Sequence, residues 1–195
     1  MSHLILPKFF LYLFLSSRFV FEILQRYAMS KEYYVRSDSD LVFLMLGGES
    51  RMSEGWLQHS FMSQQAKKLK AATFVIEHRF TAKVSILIFR DLRVENLKYL
   101  SSEQALADAA HFITQMNIDH GFKNPRWVVF GGSYAGSLAA WMRYRYPHLV
   151  HAAVASSGPL FAEVDFPALE ITEFVGEQKF NKRVDWTERF VLERI

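Results

Sequence analysis

Along the middle of this chain, apolar residues come in short unbroken runs, and amphipathic stretches lie between them. Leu41-Val42-Phe43-Leu44-Met45-Leu46 is one run, and it stops at Gly47-Gly48. Thr73-Phe74-Val75-Ile76 and Trp127-Val128-Val129-Phe130 are two more; Val150 to Ala155 is a fourth, closing on Ser156-Ser157-Gly158-Pro159. Short runs without polar alternation suit strands buried on both faces. The intervening stretches change period. From His59 to Leu69, the residues Phe61, Met62, Ala66 and Leu69 fall on one helical face. Residues 77–98 show no period and read as an irregular loop. From Ser102 to about Asp119, Leu106, Ala109, Ala110, Ile113 and Met116 form a helical stripe. Ser101 with Gln104 three residues on makes a capping box, and Gly121 fits a helix stop. Ser137 to Tyr146 has helical character and ends at Pro147. Strands separated by helices in this order predict an α/β domain: a mostly parallel sheet with helices on both faces. Ligands in such sheets bind beyond the carboxyl ends of the strands. Gly47-Gly48-Glu49, Glu77-His78-Arg79, Ser133 and Ser156-Ser157 all fall there.

The two ends read differently from the middle. Leu4 to Leu15 is apolar apart from Pro7 and Lys8, too short to span a bilayer. Two readings stand for it: the apolar part of a signal peptide over residues 1–19, or a strand or helix of the core. Residues 20–166 carry the α/β pattern. Residues 167–195 are mixed and charged, with weak helical periodicity through Leu169, Ile171, Phe174 and Val175; they read as the start of a cap insertion or a divergent tail.

Composition narrows the function classes. At 195 residues, half of them hydrophobic, the chain is long enough for a globular core. The net charge of +3 is small, and basic residues alternate with acidic ones, as in Glu77-His78-Arg79 and Arg90 to Glu95. Those clusters read as solvated faces, and no nucleic-acid stripe is present. There is no cysteine, which excludes disulfides, a thiol nucleophile and thiolate metal sites. The histidines show no metalloprotease spacing, so neither a metal nor an organic cofactor is expected.

The sharpest chemical feature is Gly131-Gly132-Ser133-Tyr134-Ala135-Gly136, directly after an apolar strand and before a helix. That is the layout of a nucleophile elbow, a tight strand-to-helix turn that presents one serine hydroxyl. Small residues must flank the serine, and here they are Gly131 at minus two and Ala135 at plus two. The helix that follows aims its N-terminal N–H groups and positive dipole end at Ser133, which suits a reaction that develops an oxyanion.

Residues in the elbow and well outside it point the same way. Gly131 to Trp141, Tyr146-Pro147-His148-Leu149, Ala153 to Pro159 and Asp165-Phe166 resemble the prolylcarboxypeptidase-like serine peptidases. So do Phe43 to Glu49, Glu77-His78-Arg79-Phe80, Asn96 to Ser102 with Gln104 to Asp108, and Gln25-Arg26-Tyr27. That family includes lysosomal Pro-Xaa carboxypeptidase, dipeptidyl peptidase II and thymus-specific serine protease; the Ala after Tyr134 resembles the thymus-specific branch most. The resemblance implies an incomplete α/β-hydrolase fold, with the C-terminal strands and most of a helical cap absent from these residues. It also implies a Ser-Asp-His triad, exopeptidase action on peptides often next to proline, and a secreted or endosomal–lysosomal location. Ser133 matches the nucleophile and the Tyr134 N–H one oxyanion donor. The loop Gly47-Gly48-Glu49 is where a second donor would lie, unless it is a plain turn. One stretch departs from the family: Thr81 to Phe89 replaces its usual Tyr-Gly continuation.

The triad order in this fold is Ser, then Asp or Glu, then His. After Ser133 the histidines are His148 and His151, and the acids from Glu163 onward follow both. Both histidines are expected at the opposite end of the sheet from Ser133. The expectation is therefore a serine-type peptidase by family whose 195 residues alone have little activity. A lipase or esterase, and a non-catalytic fragment able to self-associate through an exposed sheet edge, are the alternatives.

Overall fold

The computed structural model describes residues 8–15, 19–79, 94–97, 100–160 and 191–192. Among these described residues seven strands form one sheet: β1 (Lys8–Leu15), β2 (Phe19–Ser30), β3 (Leu41–Leu46), β4 (Ala72–Ile76), β5 (Arg126–Gly132), β6 (Val150–Ser156) and β7 (Val191–Leu192). Their order is β1-β2-β4-β3-β5-β6-β7. The central pairs β4–β3, β3–β5 and β5–β6 are parallel, while β1–β2, β2–β4 and β6–β7 are antiparallel. The sheet is thus mixed, with the parallel arrangement confined to the four strands that the apolar runs mark.

The helices are α1 (Trp56–His59), α2 (Phe61–Leu69), α3 (Val94–Leu97), α4 (Ser102–His120) and α5 (Tyr134–Arg145). The helix expected from His59 to Leu69 is α2 and starts at Phe61, because Ser60 turns extended and its hydroxyl caps α2 by accepting from the Ser63 N–H; the short α1 precedes it. Ser101 likewise accepts from the Gln104 N–H, and Gly121 ends α4 in the left-handed region at φ 56°. Residues 94–97 are helical, although 77–98 reads as loop. The rest of the departure at Thr81 to Phe89, and the periodicity at Leu169 to Val175, lie outside the described residues. In the N-terminal apolar run, Lys8–Leu15 is a strand paired with β2.

Alternate strand residues build two cores. Val42, Leu44, Phe74, Trp127 and Val129 join Phe112, Ile113, Met116 and Leu138 under α4 and α5. Phe43, Val75 and Phe130 meet Leu57, Met62 and Ala66 under α1 and α2. Phe74 is the hub of the first, with ring centroids of Trp127, Phe112 and Tyr27 at 5.5, 5.7 and 6.4 Å. In β6 the parity shifts: Val150 pairs with Trp127 but Ala152 with Val128, which leaves His151 as the extra residue. That bulge lets Val150, Ala153 and Ala155 all face the first core. Asp40 aligns the strand starts. Its carboxylate accepts from the Ser37 and Lys123 N–H groups at 2.9 and 2.7 Å, and its carbonyl from the Arg126 N–H at 2.8 Å. At the other end the register sets Leu46 opposite Ile76, Met45 opposite Phe130 and Gly132 opposite Ser156, so the carboxyl ends of β3, β4, β5 and β6 finish close together, and the site forms above them.

Candidate active site

Ser133 sits between β5 and α5 at φ 55° and ψ −129°. Few non-glycine residues occupy that region, and holding one there costs about 1–3 kcal/mol. The surrounding backbone enforces it. The Ser133 N–H donates to the Ser156 carbonyl at 3.0 Å, and the Ser133 carbonyl accepts from the Gly136 and Ser137 N–H groups at 2.8 and 3.2 Å. Close approach explains the glycines. A methyl on Gly136 would lie 2.6 Å from the Ser156 carbonyl oxygen, and one on Gly158 only 2.7 Å from the Gly136 carbonyl carbon. Helix α5 thus packs backbone to backbone on the segment after β6. Its first residue is Tyr134, three positions earlier than the periodicity suggests.

The Ser133 side chain is exposed and does not cap α5. The Tyr134 and Ala135 N–H groups lie in the first turn, where no intrahelical carbonyl reaches them. A hydroxyl at the positive end of a helix, beside unspent N–H donors, can attack a carbonyl and have the resulting oxyanion held.

Ser133 opens onto a cavity of about 420 Å³ that also has Gly47, Gly48, Glu49 and Ala135 in its wall. The remaining wall is largely apolar, with Met45, Met52, Trp56, Phe61, Met62 and Phe130. Sequence-selected residues from the β3 loop and the elbow therefore share one space. The Gly47 N–H is spent on the Ile76 carbonyl at 2.9 Å, while Gly48 and Glu49 also line the cavity. Ala135 at plus two fits: a methyl on Gly48 would be 3.5 Å from its Cβ, an ordinary contact. The Tyr134 side chain is not in this wall. It turns away, toward His78.

Glu77-His78-Arg79 does not form a solvated face. The three side chains are 1%, 7% and 1% exposed. Arg79 makes a two-pronged ion pair with Asp108 of α4. Burial pushes the Asp108 carboxyl up to about 6, against the pull of Arg79. Glu77 accepts from the Met52 N–H at 3.1 Å, tying the cavity-lining loop to β4, and its other oxygen lies 3.8 Å from Arg26. His78 lies 3.2 Å from the Tyr134 hydroxyl, which is 3.0 Å from Ser102 Oγ. Burial lowers the His78 pKa and favours the neutral ring. None of His78, Ser102, Arg79 and Asp108 was marked for a site role by sequence; the placement of Glu77-His78-Arg79 at a strand's carboxyl end was the available signal.

His148 and His151 line a separate cleft with Pro125, where β5 and β6 begin. Ser133 is at the other end of β5.

A family model described as serine carboxypeptidase S28 matches residues 18–188. Mouse thymus-specific serine protease is 42% identical over 147 residues, 74% of this chain and 28% of that protein. Human lysosomal Pro-X carboxypeptidase is 36% identical over 141 residues, 70% of this chain and 28% of that protein. The chain spans little more than a quarter of the length of these two relatives. Among solved structures, a peroxisomal alpha-beta-hydrolase of Saccharomyces cerevisiae superposes with a TM-score of 0.57 at 12% identity, over 84% of this chain and 48% of that one. A carboxyl esterase of Bacillus coagulans gives 0.53 at 9% identity, over 90% and 51%. At such identities the likeness shows the fold alone: that of an incomplete α/β hydrolase.

Proposed function

The chain belongs to the serine carboxypeptidase S28 family, and from that premise we propose that it carries the nucleophile half of a serine exopeptidase site acting on peptides, often next to proline. Ser133 Oγ attacks the scissile carbonyl carbon, the bond to the leaving amine breaks, and an acyl-enzyme forms on Ser133. The Tyr134 N–H donates to the oxyanion, and Gly48 or Glu49 supplies the second donor, since Gly47 is already engaged. The observation that carries this reading is Ser133 itself, strained at the strand-to-helix turn with its side chain open to the cavity.

Attack also needs a base to accept the hydroxyl proton, held by a carboxylate. His148 and His151 lie too far along the sheet to serve. These 195 residues alone should therefore acylate slowly. A lipase or esterase finds less support, because the peptidase-family match extends far outside the elbow. The lysosomal relative favours a secretory or endosomal–lysosomal address. A leader over residues 1–19 would remove β1, an edge strand, and leave the central pairings in place.

A reactive fluorophosphonate and mass-spectrometric mapping test the assignment. The expected result is slow modification at Ser133, absent in Ser133→Ala. Modification elsewhere, or none after prolonged exposure, would overturn it. Labelling as fast as in complete serine hydrolases would overturn the slow-acylation part.

A further inference from the structure

We propose that His78 and Ser102 are positioning residues that clamp the Tyr134 ring, and through it fix the direction of the Tyr134 N–H beside Ser133. The proposal rests on the reading of that N–H as an oxyanion donor.

Three elements converge on one hydroxyl. Tyr134 opens α5, His78 follows β4, and Ser102 opens α4. The Tyr134 oxygen is 3.2 Å from His78 Nε2 and 3.0 Å from Ser102 Oγ, and the two rings meet near edge-on, 5.5 Å apart at 65°. The polarity of the chain follows from its far end. His78 Nδ1 lies 2.6 Å from the Arg79 carbonyl, which only accepts, so Nδ1 carries the hydrogen. In the neutral ring Nε2 is then an acceptor, and the Tyr134 O–H donates to it. The Ser102 O–H donates in turn to the Tyr134 oxygen.

The clamp acts where the elbow is weakest. The ψ angle of Ser133, at −129°, sets the plane of the Ser133–Tyr134 peptide and hence where the Tyr134 N–H points. Relaxation of this uncommon conformation would rotate that plane. A ring anchored at its far end to β4 and α4 resists the rotation. The hydrogen bonds thus connect two framework elements to a donor they never touch.

The full chain, its Tyr134→Phe, Ser102→Ala and His78→Gln variants, and the Tyr134→Phe/His78→Gln double are compared by fluorophosphonate labelling rate, melting temperature and nitrogen-15 spectra of the imidazoles. Tyr134→Phe should slow Ser133 labelling about tenfold, less than the loss of a whole oxyanion donor, while its melting temperature changes little. The double variant should be no slower than the slower single, because both break one chain of contacts. The His78 spectrum should show hydrogen on Nδ1, with an Nε2 resonance that moves in Tyr134→Phe. Tyr134→Phe labelling at the parent rate, with Ser133→Ala unlabelled, overturns the clamp and leaves the nucleophile standing. Label that persists in Ser133→Ala sinks the nucleophile instead. The spectra then decide the clamp: a shifted Nε2 resonance supports it, and hydrogen on Nε2 or an unmoved resonance overturns it. If His78→Gln fails to fold, Tyr134→Phe and Ser102→Ala carry the same comparison.

Discussion

A side chain on Gly131 would place its first carbon 1.9 Å from the carbonyl oxygen of Ala135. No flexible group stands at that point, only the backbone of the first turn of α5. Gly131→Ala must therefore push the strand end and the helix start apart. The expected cost is about 3 kcal/mol, at or above the upper range for overpacking, read as a lowered urea midpoint. Gly132→Ala is the control, since its added carbon meets nothing within 4 Å.

Ser133 holds its backbone at φ 55° without being glycine. Ser133→Gly and Ser133→Ala both remove the hydroxyl, but only the first relieves the strain. We expect Ser133→Gly to be more stable than Ser133→Ala by about 1–2 kcal/mol in denaturant unfolding. Equal stabilities would show that the turn stores no strain.

Arg79 and Asp108 are both buried, so each is the other's compensation. Asp108→Ala leaves a buried guanidinium without its carboxylate and should cost about 3–5 kcal/mol. The exposed pair Arg145 and Glu103 is the contrast: Glu103→Ala should shift the urea midpoint little.

The titration of His78 gives a pH signature. Burial depresses its folded pKa below the ordinary imidazole value of 6.5, so the unfolded chain binds more protons near that pH. His78 then contributes stability that is present above pH 6.5 and lost as pH falls through 6.5 toward the depressed value. His120 acts in the same direction, again through burial. Asp108 opposes them: with its carboxyl raised to about 6, its contribution falls as pH rises from about 4 through 6, and this opposition fades above pH 6. Melting temperature should therefore climb between pH 6 and 7, and the climb should be shallower in His78→Gln. An equal slope in the variant would locate the effect elsewhere.

The central strands and the long helix were legible because their patterns are local. An unbroken run such as Leu41 to Leu46 has one good solution, and the stripe from Leu106 to Met116 another. β2 was missed because Glu22, Gln25 and Arg26 interrupt it and its pairing with β4 is set some fifty residues away. Helix α5 starts before its periodicity does because it is buried nearly all round, from Ala135 to Ala140, so no polar face marks its first turn. The tight backbone at the Ser133 turn and at Gly47 was legible because close approach of backbone leaves a signature of small residues. Glu77-His78-Arg79 looked solvated because charged triplets usually are. What buries them is tertiary: Asp108 lies 29 positions from Arg79, and Tyr134 lies 56 from His78.

The strand order also has a consequence during synthesis. β3 is flanked by β4, made soon after it, and by β5, which pairs Leu41 with Arg126. At ordinary translation speeds several seconds, on the order of ten, separate these two segments. Throughout that interval one side of β3 offers its amides and carbonyls to any other extended chain. The nascent polypeptide is most vulnerable just before β5 leaves the ribosome, and a holding chaperone would be of most use to it then.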